Sequence, residues 1–455
     1  ADGSTVFSYK NKWGFFPAFS AAWRISEEKF MEGTRSWLDN LKLRFSVGTL
    51  GNGNVDPYKF LPTMSIDKTG VIVGDGQVNY TSYPGLIPNN LTWEKVTTYD
   101  VGVDVDMFKN RLTIGFDWYR RNTTDMYTVG PTLPEVLGTT QPKGNYADLK
   151  TKGWELTLSW RDNFKLAGSD FHYGVKLMLW DSQSWITKYN NATGKLSDYY
   201  EGYRIGDIWG YNIEGLFTSY DEIANHADQD YMKISDSKIW QPGDLKFADL
   251  NGDGKIDKGA QTLSDHGDLV IVGNEEERYH YGFNLNVGWK GIGISAFFQG
   301  VGKRDWYPGQ ETGFFWGKYN RPYGYSLKMH ENRWTEENPN PNAYWPRLVG
   351  YSSENGGRPM GTPNNRYMQD ASYLRLKALT VDYSLPQAWV SKLGLTGLKI
   401  YFTGENLFTF SNVCENFDPE VIKGGDVDLK DRKGEEQGYS YPMLKTYTVG
   451  LNVSF

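Results

Sequence analysis

Apolar and polar residues alternate with a period of two in stretch after stretch of this chain. In YHYGFNLNVGW (279–289), Tyr279, Tyr281, Phe283, Leu285, Val287 and Trp289 fall on one side, and His280, Gly282, Asn284, Asn286 and Gly288 on the other. Leu41, Leu43, Phe45 and Val47 oppose Lys42, Arg44, Ser46 and Gly48 in the same way. So do Leu112, Ile114, Phe116 and Trp118 against Thr113, Gly115, Asp117, Tyr119 and Arg121, and Trp154, Leu156, Leu158 and Trp160 against Glu155, Thr157, Ser159 and Arg161. Successive side chains of a strand point to opposite faces, so each stretch predicts a strand with one apolar and one polar face. The last residues, KTYTVGLNVSF (445–455), continue the pattern with Tyr447, Val449, Leu451, Val453 and Phe455 on one face. An exposed apolar strand promotes association unless its edges are paired and that face meets something other than water.

Two architectures fit alternation alone: a soluble sandwich or propeller with one wet face per sheet, and a membrane β-barrel. No run of about 18 apolar residues exists, which excludes a membrane-spanning helix, and a mean hydropathy of −0.58 does not exclude a barrel, because alternating strands average out. Several apolar faces begin or end in Trp or Tyr, as the aromatic girdles of a barrel would, in a chain that is 16% aromatic. A net charge of −7 argues against nucleic acid as a partner, and a single Cys rules out an intrachain disulfide framework.

Connection lengths separate the two architectures. Strands near 97–107 and 111–120 join through FKNR, those near 152–161 and 170–180 through DNFKLAGS, and those near 279–289 and 291–300 through Lys290 and Gly291. Between these hairpins lie the long polar segments 49–96, 122–151, 181–278, 301–370 and 409–444. Short turns alternating with long loops are the pattern of an outer-membrane barrel, with the loops extracellular. With 13–24 and 445–455 added, the strands number eleven. An odd set cannot close into a single-chain bacterial barrel, so the expectation is an all-β, transmembrane antiparallel β-barrel with about 11 strands present of roughly 22, preceded by a missing half.

The stretches WGFFPAFSAAWRISEE (13–28), WLDNLKLRFSVGTLGN (37–52), WEKVTTYDVGVDVDMFKNRLTIGFDWYRRNTTDM (93–126) and GDLKFADLNGDGKID (243–257) carry a family likeness. So do YGFNLNVGWKGIGISAFFQG (281–300), ASYLRLKALTVDYSLP (371–386) and LKIYFTGENLFTFS (398–411). Together they resemble the C-terminal half of SusC-type TonB-dependent transporters of Bacteroidetes outer membranes. The resemblance implies residues 1–455 as half of a barrel whose N-terminal half, plug domain and TonB-contacting segment lie upstream. It further implies a SusD-like surface lipoprotein as lid, energy from TonB–ExbB–ExbD, outer-membrane lipid around the strands, and a Gram-negative cell.

DLNGDGKID resembles a Ca²⁺ loop: Asp249, Asn251 and Asp253 stand at alternate positions, Gly254 takes the tight turn, and Lys255 offers its carbonyl. Ala260 stands where a late acidic ligand belongs, and the family's following Asp reappears as Asp268, which makes Asp268 the expected late carboxylate with Asp257 and Asp265 behind it. The cation, Ca²⁺ or Mg²⁺, would be structural; an Asx/Gly turn that binds nothing is the alternative. Trp185, Trp209, Trp240, Trp306, Trp316, Trp334 and Trp345 punctuate the long segments. Their flat faces suit sugar rings, lid contacts or plain packing. The polar strand residues Lys42, Arg44, Asp117, Arg121, Glu155 and Arg161 are expected to line a wet interior. GIGIS and GVGKR lack the context of a phosphate cradle, and no nucleophile–base pair is recognisable, so no enzymatic activity is expected. The expected function is active import of a large nutrient, foremost an oligosaccharide. A peptide importer, a passive porin, and a soluble Ca²⁺-stabilised lectin or glycoside hydrolase are the alternatives.

Overall fold

A computed structural model describes residues 1–87, 91–130, 133–138, 141–233, 239–309, 312–320, 324–349, 359–422 and 440–455. The remaining positions, all within the five long segments, lie outside the described residues. Among the described residues no helix is long and apolar enough to cross a membrane. Apart from short helical turns such as Tyr220–Ala224, the regular structure is all β.

Eleven strands form one antiparallel sheet: β1 (Ala18–Arg24), β2 (Leu38–Asn52), β3 (Glu94–Met107), β4 (Leu112–Val129), β5 (Lys143–Leu166), β6 (Ser169–Lys188), β7 (Arg278–Trp289), β8 (Ile292–Lys303), β9 (Tyr373–Ser384), β10 (Gly397–Ser411) and β11 (Thr446–Ser454). Their hydrogen-bonded order is their chain order, an uninterrupted meander. Lys290 (φ 50°) and Gly291 (φ 84°) make a two-residue turn between β7 and β8, both in the left-handed region that matches strand twist. Ala167 (φ 48°) and Gly168 (φ 76°) do the same between β5 and β6, so these strands approach to two residues where the alternation suggested the eight of DNFKLAGS.

Other strand ends also differ from the alternation. β1 begins at Ala18 rather than residue 13, because Pro17 has no N–H to give the ladder. β4 and β5 run deep into 122–151, and β6 into 181–278; there apolar and polar residues no longer alternate strictly, and the strands keep their ladder without that signal. Small two-stranded sheets stand inside the long segments: Ile66–Val73 with Gly76–Thr81, Asp207–Gly210 with Val270–Asn274, and Ile213–Leu216 with Leu245–Phe247.

The chain divides into two compact units, one of Ala1–Asn110, Ile114–Glu155 and Ser182–Ile205, the other of Arg111–Thr113, Leu156–Asp181 and Gly206–Phe455. In the first, the ladder aligns Trp23 with Leu43 and Val103, Ala21 with Phe45 and Val101, and Phe19 with Val47 and Tyr99. These rows cover one face, and Phe19, Trp23, Phe45, Tyr99 and Val101 are exposed on it. The opposite face carries Ser20, Ala22, Lys42, Arg44, Ser46, Asp100 and Asp104. Phe7, Val55, Leu91 and Trp93 form a small core beside these strands.

In the second unit one row crosses six strands: Phe171, Trp289, Ile292, Tyr383, Ile400 and Leu451. The next contains Tyr173, Val287, Ile294, Val381, Phe402 and Val449. Gly174, Asn286, Ser295, Thr380, Thr403 and Thr448 make a polar row on the other side. Gly450 sits on that face because a Cβ there would lie 2.2 Å from the Tyr401 ring. The apolar rows remain exposed, and the largest buried side chains lie away from the sheet, in the long segments.

Candidate functional site: the polar strand face and the folded loop segments

Arg44 is held between two carboxylates. Its Nε and Nη2 donate to Asp104 at 2.8 and 2.9 Å, and its Nη1 lies 2.8 Å from Asp117 Oδ1. Lys42 joins from 3.8 Å at Asp104. Of the expected interior residues, Lys42, Arg44 and Asp117 therefore meet in one network, and Asp104, within VDVDM, is the member the sequence reading missed. Arg121 leans over Tyr119, 5.8 Å from its ring centroid, and stands apart from that network, as does Glu155, which is exposed. Arg161 lies in the other unit, where its backbone N–H meets the Arg111 carbonyl.

The second unit holds two further clusters. Arg278 grips Asp181 with both nitrogens, Nε at 2.6 Å and Nη2 at 2.5 Å. Arg375, 2% exposed, donates to Asp418 at 2.5 Å, to Glu420, and to Thr409 Oγ1 at 2.8 Å, while Lys377 reaches Glu420 at 2.8 Å. Arg375 and Lys377 are visible in the alternation of LRLKAL; their acidic partners are not, because they arrive from a segment some forty residues on.

DLNGDGKID forms a tight turn. Asp249 accepts from the N–H groups of Gly252 (2.7 Å) and Gly254 (2.9 Å), Asn251 from Asp253 (2.9 Å), and Asp253 from Lys255 (2.8 Å). Gly252 and Gly254 have positive φ, which favours glycine. Oxygens of this kind are the hard donors Ca²⁺ prefers, and here they accept from the turn's own N–H groups. Asp268 plays a different part: it is fully buried, with Oδ1 accepting from Leu250 and Oδ2 from Asp257, a clamp that closes the loop on itself. Among the described residues no three His, Cys, Asp or Glu side chains stand in a metal-holding group.

The seven tryptophans separate into two sets. Trp306, Trp316, Trp334 and Trp345 are buried, which corrects the expectation that Trp306, Trp316 and Trp345 offer their faces to a substrate or lid. The faces of Trp306, Trp316 and Trp345 are spent on other rings: Trp345 stacks between Tyr319 and Tyr367, each 5.2 Å away, Phe315 meets the Trp316 ring edge-on at 4.8 Å, and Trp306 tilts against Phe417 at 5.0 Å. Trp345 and Trp316 donate their indole N–H to the Met329 and Gly309 carbonyls, both at 2.9 Å. His330 belongs to this core, accepting the Leu327 N–H on Nδ1 and facing the Phe315 carbonyl with Nε2; burial holds it below the usual imidazole value. Trp185, Trp209 and Trp240 keep part of their surface open. Trp240 borders a narrow cleft beside Asp244, whose carboxyl burial pushes up although Arg347 pulls it back. Trp185 borders a hollow of about 330 Å³ with Lys150, Lys152, Ile186, Thr187, Glu201 and Gly202.

Residues 1–227 match the family model described as TonB dependent receptor-like, beta-barrel. Across its whole length the chain is 29% identical to TonB-dependent receptor P3 of Formosa agariphila and 26% identical to TonB-dependent receptor SusC of Bacteroides thetaiotaomicron, covering 43% and 41% of them. It thus spans less than half the length of these relatives. A solved structure of the RagAB peptide importer in its closed-closed state shares the fold, with a TM-score of 0.72 at 22% identity over all of this chain and 45% of that one. The meander, its two unlike faces and these whole-chain likenesses agree: the chain belongs to the TonB-dependent receptor-like β-barrel family, among its SusC-like members.

Proposed function

We propose that the protein takes part in active import of oligosaccharides across the outer membrane of a Gram-negative bacterium, beneath a SusD-like lipoprotein lid and driven by TonB. The observation that carries this reading is a sheet with one exposed apolar face and one polar, ion-paired face, suited to lipid on one side and a wet passage on the other. Trp209 and Trp240, with open ring surface in the long segments, suit sugar rings. Import of peptides is the second reading, favoured by the fold shared with the RagAB peptide importer. The chemistry asked of these residues is binding and passage, with no bond made or broken. Asp249, Asn251, Asp253 and the Lys255 carbonyl would hold a structural Ca²⁺, or Mg²⁺, that stiffens the turn.

The test is uptake of labelled oligosaccharides and peptides by cells carrying or lacking the full-length receptor, with TonB intact or deleted. Receptor- and TonB-dependent oligosaccharide uptake is expected. Uptake of peptides alone would favour the second reading, and uptake independent of TonB would overturn both.

A further inference from the structure

The strand register bears on the hollow beside Trp185. On β5, Trp154 belongs to the apolar face, so Lys152 and Lys150, two and four residues before it, share that face. On β4, Arg120 follows Trp118 on the same apolar parity. The three cations therefore stand beyond the aromatic end of the exposed apolar face, on its own side of the sheet rather than on the side of Arg44 and Asp117. Thr151 confirms the register on the far side, where its hydroxyl meets Ser184 at 2.7 Å.

These cations are poorly neutralised. Lys150 lies 5.7 Å from the Trp185 ring centroid, and Arg120 Nε donates to the neutral Asn122 side chain at 3.1 Å. None of Arg120, Lys150 and Lys152 has an acidic partner within salt-bridge distance among the described residues, and Glu201 is the one acid bordering the hollow. The lining of the hollow carries two lysines against one glutamate, a net charge of +1, and Arg120 stands on the same strand face outside that lining. At about 3.3 Å per residue and a tilt near 40°, Lys152 and Lys150 rise roughly 5 and 10 Å above Trp154. Lys152 thus stands within the headgroup layer, which adds about 5–7 Å to each side of the hydrocarbon, and Lys150 just above it, within reach of a headgroup through its long side chain.

We propose that Arg120, Lys150 and Lys152, with Trp185 as a flat floor, form a site for the phosphate of an outer-leaflet lipid headgroup. Continuity with the lipid-facing rows argues for this occupant over a sugar in transit, which would meet the opposite face. The proposal rests on the outer-membrane reading above. Juxtamembrane basic residues bind anionic headgroups electrostatically, each contributing about fivefold in affinity, so removing all three weakens binding roughly a hundredfold.

The experiment compares the full-length receptor and the variant Arg120→Gln, Lys150→Gln, Lys152→Gln after mild detergent extraction from isolated outer membranes. Native mass spectrometry and organic-phosphate assay would read the retained phospholipid or phosphorylated glycolipid. A second variant, Trp185→Leu, keeps every charge, and nutrient uptake by both variants reports folding. Expected are retained phosphorylated lipid on the native receptor, its loss from the triple variant, partial loss from Trp185→Leu, and uptake preserved. Displacement of the lipid by millimolar inorganic phosphate alone would overturn a headgroup site, as would equal lipid on native and triple variant with uptake intact. Unchanged lipid with altered uptake of acidic oligosaccharides would make the hollow a substrate subsite and also overturn it. Absence of the native receptor from the outer membrane would instead defeat the underlying reading.

Discussion

Val101 on β3 provides a sharp physical test of what the apolar face meets. It is 44% exposed and pairs across the ladder with Phe45, itself 41% exposed. It lies six residues from Met107 at the turn end of its strand, which at about 3.3 Å per residue and a 40° tilt places it roughly 15 Å up, near a bilayer's midplane. If this face met water, Val101→Lys would change stability by less than about 0.5 kcal/mol. In hydrocarbon near the midplane the same substitution costs about 2–4 kcal/mol, roughly 30- to 700-fold in the folding equilibrium. Ser46→Lys is the matched control: it lies on the other face, directly opposite Asp100. Urea titrations of the full-length receptor folded into lipid vesicles, followed by tryptophan fluorescence, would measure both. The reasoning is refuted if the two lysines cost the same, or if the Val101 variant unfolds at the native midpoint.

Three further outcomes are expected. Trp345→Ala empties a fully buried indole site and should cost about 3–5 kcal/mol in the unfolding of its loop segment, read by local hydrogen exchange; a cost below about 1 kcal/mol would return Trp345 to the surface. Arg375→Met leaves Asp418 and Glu420 facing a buried gap and should destabilise by about 3–5 kcal/mol, whereas exchanging all three for apolar residues should be far milder in the same unfolding assay. His330 is neutral and held below its usual value, so the unfolded chain binds a proton near pH 6.5 that the folded chain refuses. Its contribution is therefore complete above about pH 6.5 and falls as pH drops toward the depressed native value, a slope that His330→Gln should remove from melting curves.

The strands were legible because a sheet between lipid and water imposes period two on its residues, and lipid-facing rows such as Trp289–Ile292–Tyr383 leave that imprint directly in the sequence. Where strict alternation lapses, as at the far ends of β4 and β5, the ladder continues without an imprint, and the boundaries are not legible. The tryptophans show the opposite limit. Trp185 and Trp345 look alike in sequence, each among polar and aromatic neighbours, yet one borders an open hollow and the other is sealed between Tyr319 and Tyr367. Only long-range folding separates them. The oxygens of DLNGDGKID were legible as a turn, but Asp268 as a backbone clamp depends on hydrogen bonds to Leu250 and Asp257 that spacing does not encode.

The most direct test of the central claim is residue-by-residue accessibility along β3 in intact outer membranes. Single cysteines at Thr98, Tyr99, Asp100 and Val101, in a receptor whose Cys414 is replaced by Ser, would be probed with a water-soluble maleimide and with a lipid-borne nitroxide quencher. The account predicts strict alternation: positions 98 and 100 react with the water-soluble maleimide, while 99 and 101 resist it, react with a bilayer-permeant fluorescent maleimide and are then quenched from the lipid. Water-soluble maleimide labelling at all four positions, with no quenching from the bilayer, would contradict a membrane barrel and return the chain to a β-fold in water.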